Sequence, residues 1–220
     1  MDRRSEISAI GIRARETFEE KHRAREVTIG ASRQAIQACA ASIRATHRGE
    51  YEAAETLARE ARDHLAQADA ALVGHADVRN SGPLHDAKKE LAEAWCTLAL
   101  VRDDPLPTPE EIAIDAAPYC NGLAEAASEL RRQLLDRLRA GDLARAEELM
   151  SAMDEIYSLL VTIDYPDGVT SGLRRTTDAL RAVLERTRGD LTTAVVAFRL
   201  QAAIELRDGE SRDGESRENA

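Results

Sequence analysis

The sequence is poor in aromatic residues, cysteine and lysine, and these shortages exclude several kinds of protein. Only 3% of the 220 residues are aromatic, which argues against base stacking as the main mode of nucleic-acid binding. The three cysteines, Cys39, Cys96 and Cys120, form neither a CxxC pair nor a zinc-ligand spacing. They are therefore interpreted as small buried residues in a reducing compartment.

Long hydrophobic runs are also absent. No stretch reaches the roughly 20 uncharged apolar residues that a membrane-spanning helix needs. The charged start of the chain, MDRRSEISAIGIRARE, is not typical of a secretory signal. These features predict a cytoplasmic location.

The common catalytic signatures are missing from the sequence. It contains no glycine-rich phosphate loop, no GxSxG and no HExxH. Ferritin-like di-metal bundles use Glu-x-x-His, but Cys96 follows Glu93 at that spacing and Arg132 follows Glu129. This argues against a histidine-containing di-metal bundle.

The dominant pattern in the sequence is helical periodicity, since apolar residues recur at spacings of three and four. No strand-like alternation occurs, so the sequence predicts an all-α protein of six or seven long helices. The first segment forms one long helix or two consecutive helices ending at Gly49. The further predicted helices cover about 51–73, 84–102, 118–140, 142–163 and 171–206.

The segments between these helices contain turn residues and charges. Residues 75–83 are predicted to form a loop, and Thr108–Glu111 could open one short extra helix. The tail 207–220 repeats DGESR and has no apolar residue before Ala220, so we expect it to be disordered. A single helical domain over 1–206 is the predicted organisation.

Two glutamate pairs are the candidates for chemistry. KELAEA places Glu90 and Glu93 three residues apart, and LAEAASEL places Glu125 and Glu129 four apart, so each pair shares a helix face. Spacing alone favours a solvated charged surface. The alternative is that the pairs meet, which would require protonation or a cation. Oxygen ligands without histidine favour Mg²⁺ or Mn²⁺.

Arginines form the second pattern in a chain whose formal net charge is −10. Its acidity argues against a protein that coats DNA non-specifically. Local clusters of arginine can still contact phosphates, although pairing with acidic neighbours remains the alternative for each one. The candidate phosphate contacts are Arg25, Arg33, Arg131 and Arg132.

One block of sequence resembles the signature of the translin and translin-associated factor X family. The block is PYCNGLAEAASELRRQLLDRLRAGD, in which the matching residues occur in order: Tyr119, Gly122, Glu125, Ser128, Glu129, Leu130, Arg132, Gly141 and Asp142. KELAEA, REVTIGASR at residues 25–33 and the pair His47-Arg48 resemble further parts of the family pattern. DYPDGVTSGLRR looks more like the archaeal branch.

This resemblance implies a seven-helix, translin-like subunit in a hollow homo-oligomer, expected to be an octamer, that encloses single-stranded nucleic acid. In the family's active subunits it implies a site formed by Glu90, Glu93, Glu125 and Glu129 with Mg²⁺ or Mn²⁺. The sequence departs from the family at Glu125, where an aspartate is expected, and at Leu91, where an aromatic residue is expected.

The leading hypothesis is therefore a metal-dependent endoribonuclease that cleaves single-stranded RNA inside a homo-oligomeric shell. The alternative is a non-catalytic protein of translin type that binds single-stranded DNA or RNA. A third possibility is a helical scaffold without nucleic acid, in which the arginines only pair with acidic neighbours.

Overall fold

A computed structural model describes residues 2–75 and 82–218, and within these ranges the regular secondary structure is entirely helical. This confirms the predicted all-α fold. The helices are α1 (Arg3–His47), α2 (Tyr51–Ala71), α3 (Gly82–Arg102), α4 (Ala116–Arg139), α5 (Leu143–Leu160), α6 (Asp167–Thr170) and α7 (Leu173–Glu218).

Most predicted helix ends coincide with residues that favour the start or the end of a helix. Gly49 and Gly141 have φ angles of 77° and 78°, a conformation that glycine adopts readily after a helix. Asp142 caps α5, because its side chain accepts a hydrogen bond from the backbone N–H of Arg145 at 3.2 Å. The first segment is one continuous helix, α1, rather than two.

Three segments differ from the prediction or lie outside the described residues. Thr108–Glu111 forms a turn rather than a helix. Residues 76–81 of the predicted loop are not among the described residues, and α3 begins at Gly82. The last helix continues to Glu218, beyond its predicted end near 206. The domain limit at 206 and the disorder of 207–220 stay predictions.

Helices α3 and α4 lie at the centre of the bundle. α3 contacts α1, α2 and α4, whereas α4 contacts α3, α5 and α7. Their packing faces are rich in alanine, and Leu91 and Leu130 are fully buried in them. Small side chains let helices approach closely, so the backbones of α3 and α4 lie near each other.

Both long helices leave apolar residues uncovered by this chain. Ile7, Ile10 and Phe18 on α1 are exposed, as are Val196 and Leu200 on α7. Exposed apolar side chains grouped along a helix are a feature of surfaces that contact other proteins. Within residues 2–75 and 82–218, no helix is both long and apolar enough to cross a membrane.

Candidate metal and nucleic-acid site

The two glutamate-bearing helices cross in direct backbone contact at Gly122. A Cβ atom placed on Gly122 would lie 2.4 Å from the carbonyl oxygen of Lys89 and 2.6 Å from the Cβ of Ala92. Only glycine fits between these atoms without moving a helix. This close crossing brings Glu90 and Glu93 of α3 opposite the glutamates of α4.

Three of the four predicted glutamates meet beside this crossing. One carboxylate oxygen from each of Glu90, Glu93 and Glu125 lies within 4.8 Å of the others. Glu93 is buried, with 9% of its surface exposed, and the other two are partly buried. A solvated charged surface is therefore the wrong description of Glu93. Three carboxylates from two helices suit a hard cation such as Mg²⁺ or Mn²⁺.

Mutual repulsion and burial change how these carboxylates ionise. Burial raises the pKa of Glu93 to about 8, and the charges of Glu90, Glu125 and Glu129 add to the effect. The pKa of Glu90 is also raised, mainly by burial. In the absence of a bound cation, Glu93 therefore keeps its proton at neutral pH.

Lys89 places its ammonium group among the same carboxylates. Its Nζ lies 2.8 Å and 2.7 Å from the two oxygens of Glu125 and 3.5 Å from Oε1 of Glu90. Burial by itself would lower the pKa of Lys89. The hydrogen bond to Glu125 and the nearby carboxylate charges together have a larger effect, so the pKa of Lys89 lies above its ordinary value. Lys89 is therefore a positive charge held at the site.

Glu129 has a different set of partners. Its Oε2 lies 2.7 Å from Nε2 of His47, a side chain that is only 3% exposed. The Nδ1 atom of His47 lies 3.2 Å from Nε2 of Gln133, so the ring accepts from the amide and donates to Glu129. The hydrogen bond from His47 lowers the pKa of Glu129. Glu129 is close enough to influence Glu93 but is turned toward α1.

Two of the four candidate arginines, Arg25 and Arg131, form ion pairs with acidic residues. Arg131 is committed to α7, because it donates to Thr187 at 3.0 Å and pairs with Asp190 at 2.7 Å. Arg25 pairs with its neighbour Glu26 at an exposed position. Arg33 is exposed on α1, and Arg132 is exposed beside Glu129, whose pKa its charge helps to lower.

Arg132 is the arginine of this set whose charge acts on one of the four glutamates, Glu129. It lines a shallow, open depression on α4, formed by Ser128, Glu129, Arg131, Arg132, Leu135, Asp136 and Arg139. Three arginines line it, and two of them, Arg131 and Arg139, pair with Asp190 and Asp136. An exposed guanidinium in such a depression suits an anionic group such as phosphate.

Sequence reasoning did not assign Lys89, His47 or Gln133 to the site. In the sequence Lys89 belongs to no catalytic motif and only adjoins Glu90. His47 was noticed only as part of a His-Arg pair, and no pattern singles out Gln133. Helical spacing gives the face on which a residue lies, but not the partner that this face meets from another helix.

Comparison with known proteins places the chain among structures of the same fold. A structure of AfC3PO in complex with duplex RNA shares 30% identity, over 84% of this chain and 96% of that one, with a TM-score of 0.76. A crystal structure of AfC3PO shares 32% identity over the same fractions, with a TM-score of 0.74. Apo-NeC3PO is 16% identical, with a TM-score of 0.73 over 83% of this chain and 95% of that one, and shows the fold alone.

Sequence comparison adds one relative of undefined role. An uncharacterized protein of Methanocaldococcus jannaschii is 32% identical over 121 residues, a match that spans 54% of each chain, so about half of that relative's length is covered. No family model matches the sequence. The structures at 30% and 32% identity are matched over nearly their whole length, and C3PO structures are of the translin and translin-associated factor X type. The chain belongs to this translin-like family.

Proposed function

We propose that this protein is a metal-dependent endoribonuclease that cleaves single-stranded RNA inside a homo-oligomeric shell. The observation that carries the proposal is the meeting of Glu90, Glu93 and Glu125 at the crossing of α3 and α4. Carboxylates alone are sufficient ligands for Mg²⁺ or Mn²⁺. Family membership supports RNA as the polymer that these groups would act on.

The proposed ligands for one or two divalent ions are Glu90, Glu93, Glu125 and Glu129. A cation held there would stabilise negative charge on the phosphoryl group and help to ionise the attacking water. Glu93 would release its proton when the cation binds, because a nearby positive charge favours the carboxylate. His47 would hold Glu129 ionised and oriented at the edge of the site.

Phosphate contacts along α4 would position the RNA. Arg132 is exposed beside Glu129 and is the strongest candidate, and Arg33 and Arg25 on α1 are the next. Arg131 would act indirectly, since Asp190 and Thr187 of α7 already hold its guanidinium. One family member was solved with duplex RNA, so duplex and single-stranded substrates belong in the same experiment.

The apolar ends of α1 and α7 support assembly into a shell. A chain that leaves Ile7, Phe18 and Leu200 exposed gains stability when a second copy covers them. We propose a homo-octamer, in which the carboxylates face an enclosed space.

A second candidate function is single-stranded DNA or RNA binding without cleavage. The observation that favours it is the position of Lys89, whose ammonium already neutralises part of the carboxylate charge. Glu125 also stands where the family pattern has aspartate. Its side chain is one methylene longer, and Mg²⁺ tolerates little change in ligand position.

End-labelled RNA separates these functions. Single-stranded RNA, the matching duplex and single-stranded DNA are incubated with the protein in Mg²⁺, Mn²⁺ or EDTA. We expect cleavage of single-stranded RNA only with a metal, and a loss of about a hundredfold or more in Glu90→Gln. Glu20→Gln, an exposed change on α1, is the matched control.

Each pattern of results has a distinct meaning. Binding in every buffer with no cleavage in Mg²⁺ or Mn²⁺ would establish the non-catalytic alternative. Equal cleavage by wild type and Glu90→Gln would remove Glu90 from the mechanism and overturn the proposed ligand set. If affinity does not fall as salt rises, phosphate binding itself is wrong. Light scattering of the eluted peak from size-exclusion chromatography counts the subunits.

A further inference from the structure

Lys89 occupies the position in which the proposed site would hold a cation. It directly precedes Glu90 on α3, yet its side chain bridges to α4 and contacts both oxygens of Glu125. The side chain of Lys89 is 22% exposed and that of Glu125 is 32% exposed, so the pair is partly withdrawn from water but still reaches the surface. These contacts join the two halves of the carboxylate cluster.

The neighbouring lysine shows that this arrangement is specific to one position. Lys88 points to a different side of α3, where its Nζ lies 3.0 Å from Asp69 and 4.0 Å from Asp115. Lys88 therefore connects α3 to α2 and takes no part in the cluster. Consecutive lysines on one helix thus serve different partners, because neighbouring residues lie about 100° apart around its axis.

We propose that Lys89 is a resident cation that competes with the divalent ion for the carboxylates of Glu90 and Glu125. This inference rests on the proposed function, because it assumes that the cluster takes a divalent ion. A lysine side chain suits such a role: its charge sits on a flexible four-carbon stem and is readily hydrated when it leaves the site. Binding of the ion then requires Lys89 to swing into solvent, which weakens the affinity for the ion.

Titration with Mn²⁺ at one fixed pH and ionic strength tests this competition. Free Mn²⁺ gives an electron paramagnetic resonance signal that falls on binding, so the readout does not depend on RNA cleavage. The proteins compared are wild type, Lys89→Met and Lys21→Met. The last variant removes the same charge from the N-terminal part of α1, far along the sequence from the cluster.

We expect Lys89→Met to bind Mn²⁺ with a dissociation constant at least about tenfold lower than wild type. A positive charge within 4 Å of the ligands opposes the ion by more than the roughly 1.4 kcal/mol that a tenfold change represents. Lys21→Met should stay within about twofold of wild type. Lys89→Arg keeps the positive charge and should not gain the tenfold tightening.

A second pair of variants protects the test against misfolding. Removing Lys89 alone leaves three carboxylates without their counter-charge. Glu125→Gln and the double variant Lys89→Met/Glu125→Gln allow the same comparison, and the double variant keeps the net charge of the wild-type cluster. Competition predicts that the double variant binds Mn²⁺ more tightly than Glu125→Gln.

The outcomes separate this inference from the proposed function. Equal or weaker Mn²⁺ binding after loss of Lys89, in a protein whose wild type binds Mn²⁺, overturns the competition and leaves the metal site intact. Absence of Mn²⁺ binding in wild type and in every variant overturns the metal site and the competition together. Tighter binding in Lys89→Met and in the double variant, but not in Lys21→Met, supports the inference.

Discussion

Replacing Glu93 by glutamine removes an ionisable group from the interior of the carboxylate cluster while keeping its shape. Glu93 is buried, and its pKa is raised from 4.5 to about 8 by burial and then by its carboxylate neighbours. The unfolded chain releases this proton near pH 4.5, whereas the folded protein keeps it until about pH 8. Folding therefore binds one extra proton between these two values.

The sign of the pH effect follows from this extra proton. When the folded state holds more protons than the unfolded state, stability falls as pH rises. The contribution of Glu93 is most favourable below pH 4.5, decreases up to about pH 8 and is constant above it. Each pH unit corresponds to about 1.4 kcal/mol, so between pH 6 and pH 9 the wild type should lose about 3 kcal/mol that Glu93→Gln keeps.

Thermal unfolding in EDTA measures this difference. Wild type, Glu93→Gln and the exposed control Glu20→Gln are melted at pH 6, 7, 8 and 9 at one protein concentration, because oligomers melt at concentration-dependent temperatures. For a chain of this size, about 3 kcal/mol corresponds to roughly 6–12 °C. The melting temperature of wild type should drop by that much more than that of Glu93→Gln over this range, and Glu20→Gln should follow wild type.

Saturating Mn²⁺ provides the complementary measurement. A cation bound to the cluster stabilises the ionised form of Glu93, so the wild type should recover most of its lost melting temperature at pH 9. Glu93→Gln should recover less, because it has lost one ligand. Parallel pH profiles of wild type and Glu93→Gln in EDTA would refute the argument, since Glu93 would then not be the group that titrates.

Two further predictions concern the helix crossing and the arginines. Gly122→Ala places a methyl group against the backbone of Lys89, so we expect a loss of about 1–3 kcal/mol or more in unfolding free energy and weaker Mn²⁺ binding. Normal stability with normal Mn²⁺ affinity would show that the crossing does not set the site. Arg132→Ala should reduce the slope of log affinity for single-stranded RNA against log salt by about 0.7, measured by filter binding. Arg131→Ala should lower the melting temperature through loss of its contacts with Asp190 and Thr187, and leave that slope unchanged.

The fold was predictable because its signals are local and agree with one another. Apolar stripes, the turn at Gly141 and the cap at Asp142 each act within a few residues and mark the same boundaries. The Thr108–Glu111 segment shows the limit of such signals. Thr108 and Glu111 exchange both capping hydrogen bonds, at 2.7 Å and 3.3 Å, yet no helix follows, because the chain turns away at Ala113 with a φ of 57°.

The site was predictable only in part, because it depends on how separate helices meet. Periodicity places Glu90 and Glu93 on one face of α3, and the family resemblance pairs them with Glu125 and Glu129. The contact at Gly122 that brings these helices together cannot be read from spacing. The partners of Lys89 and Glu129 are equally non-local, since Glu125 and His47 lie 36 and 82 residues away from them in the sequence.

The charges in the cluster explain why Lys89 and the proton on Glu93 belong together. Without a divalent ion, the ammonium of Lys89 and the proton on Glu93 bring two positive charges to three carboxyl groups. A divalent ion brings the same two charges, so an exchange that releases Lys89 and the proton leaves the net charge of the site unchanged. Both states leave one negative charge on the three carboxyl groups, so the exchange adds nothing to the cost of burying charge at the site. The affinity for the ion is therefore expected to rise as pH approaches 8, and the presence of Lys89 sets how high the ion concentration must be before the exchange occurs.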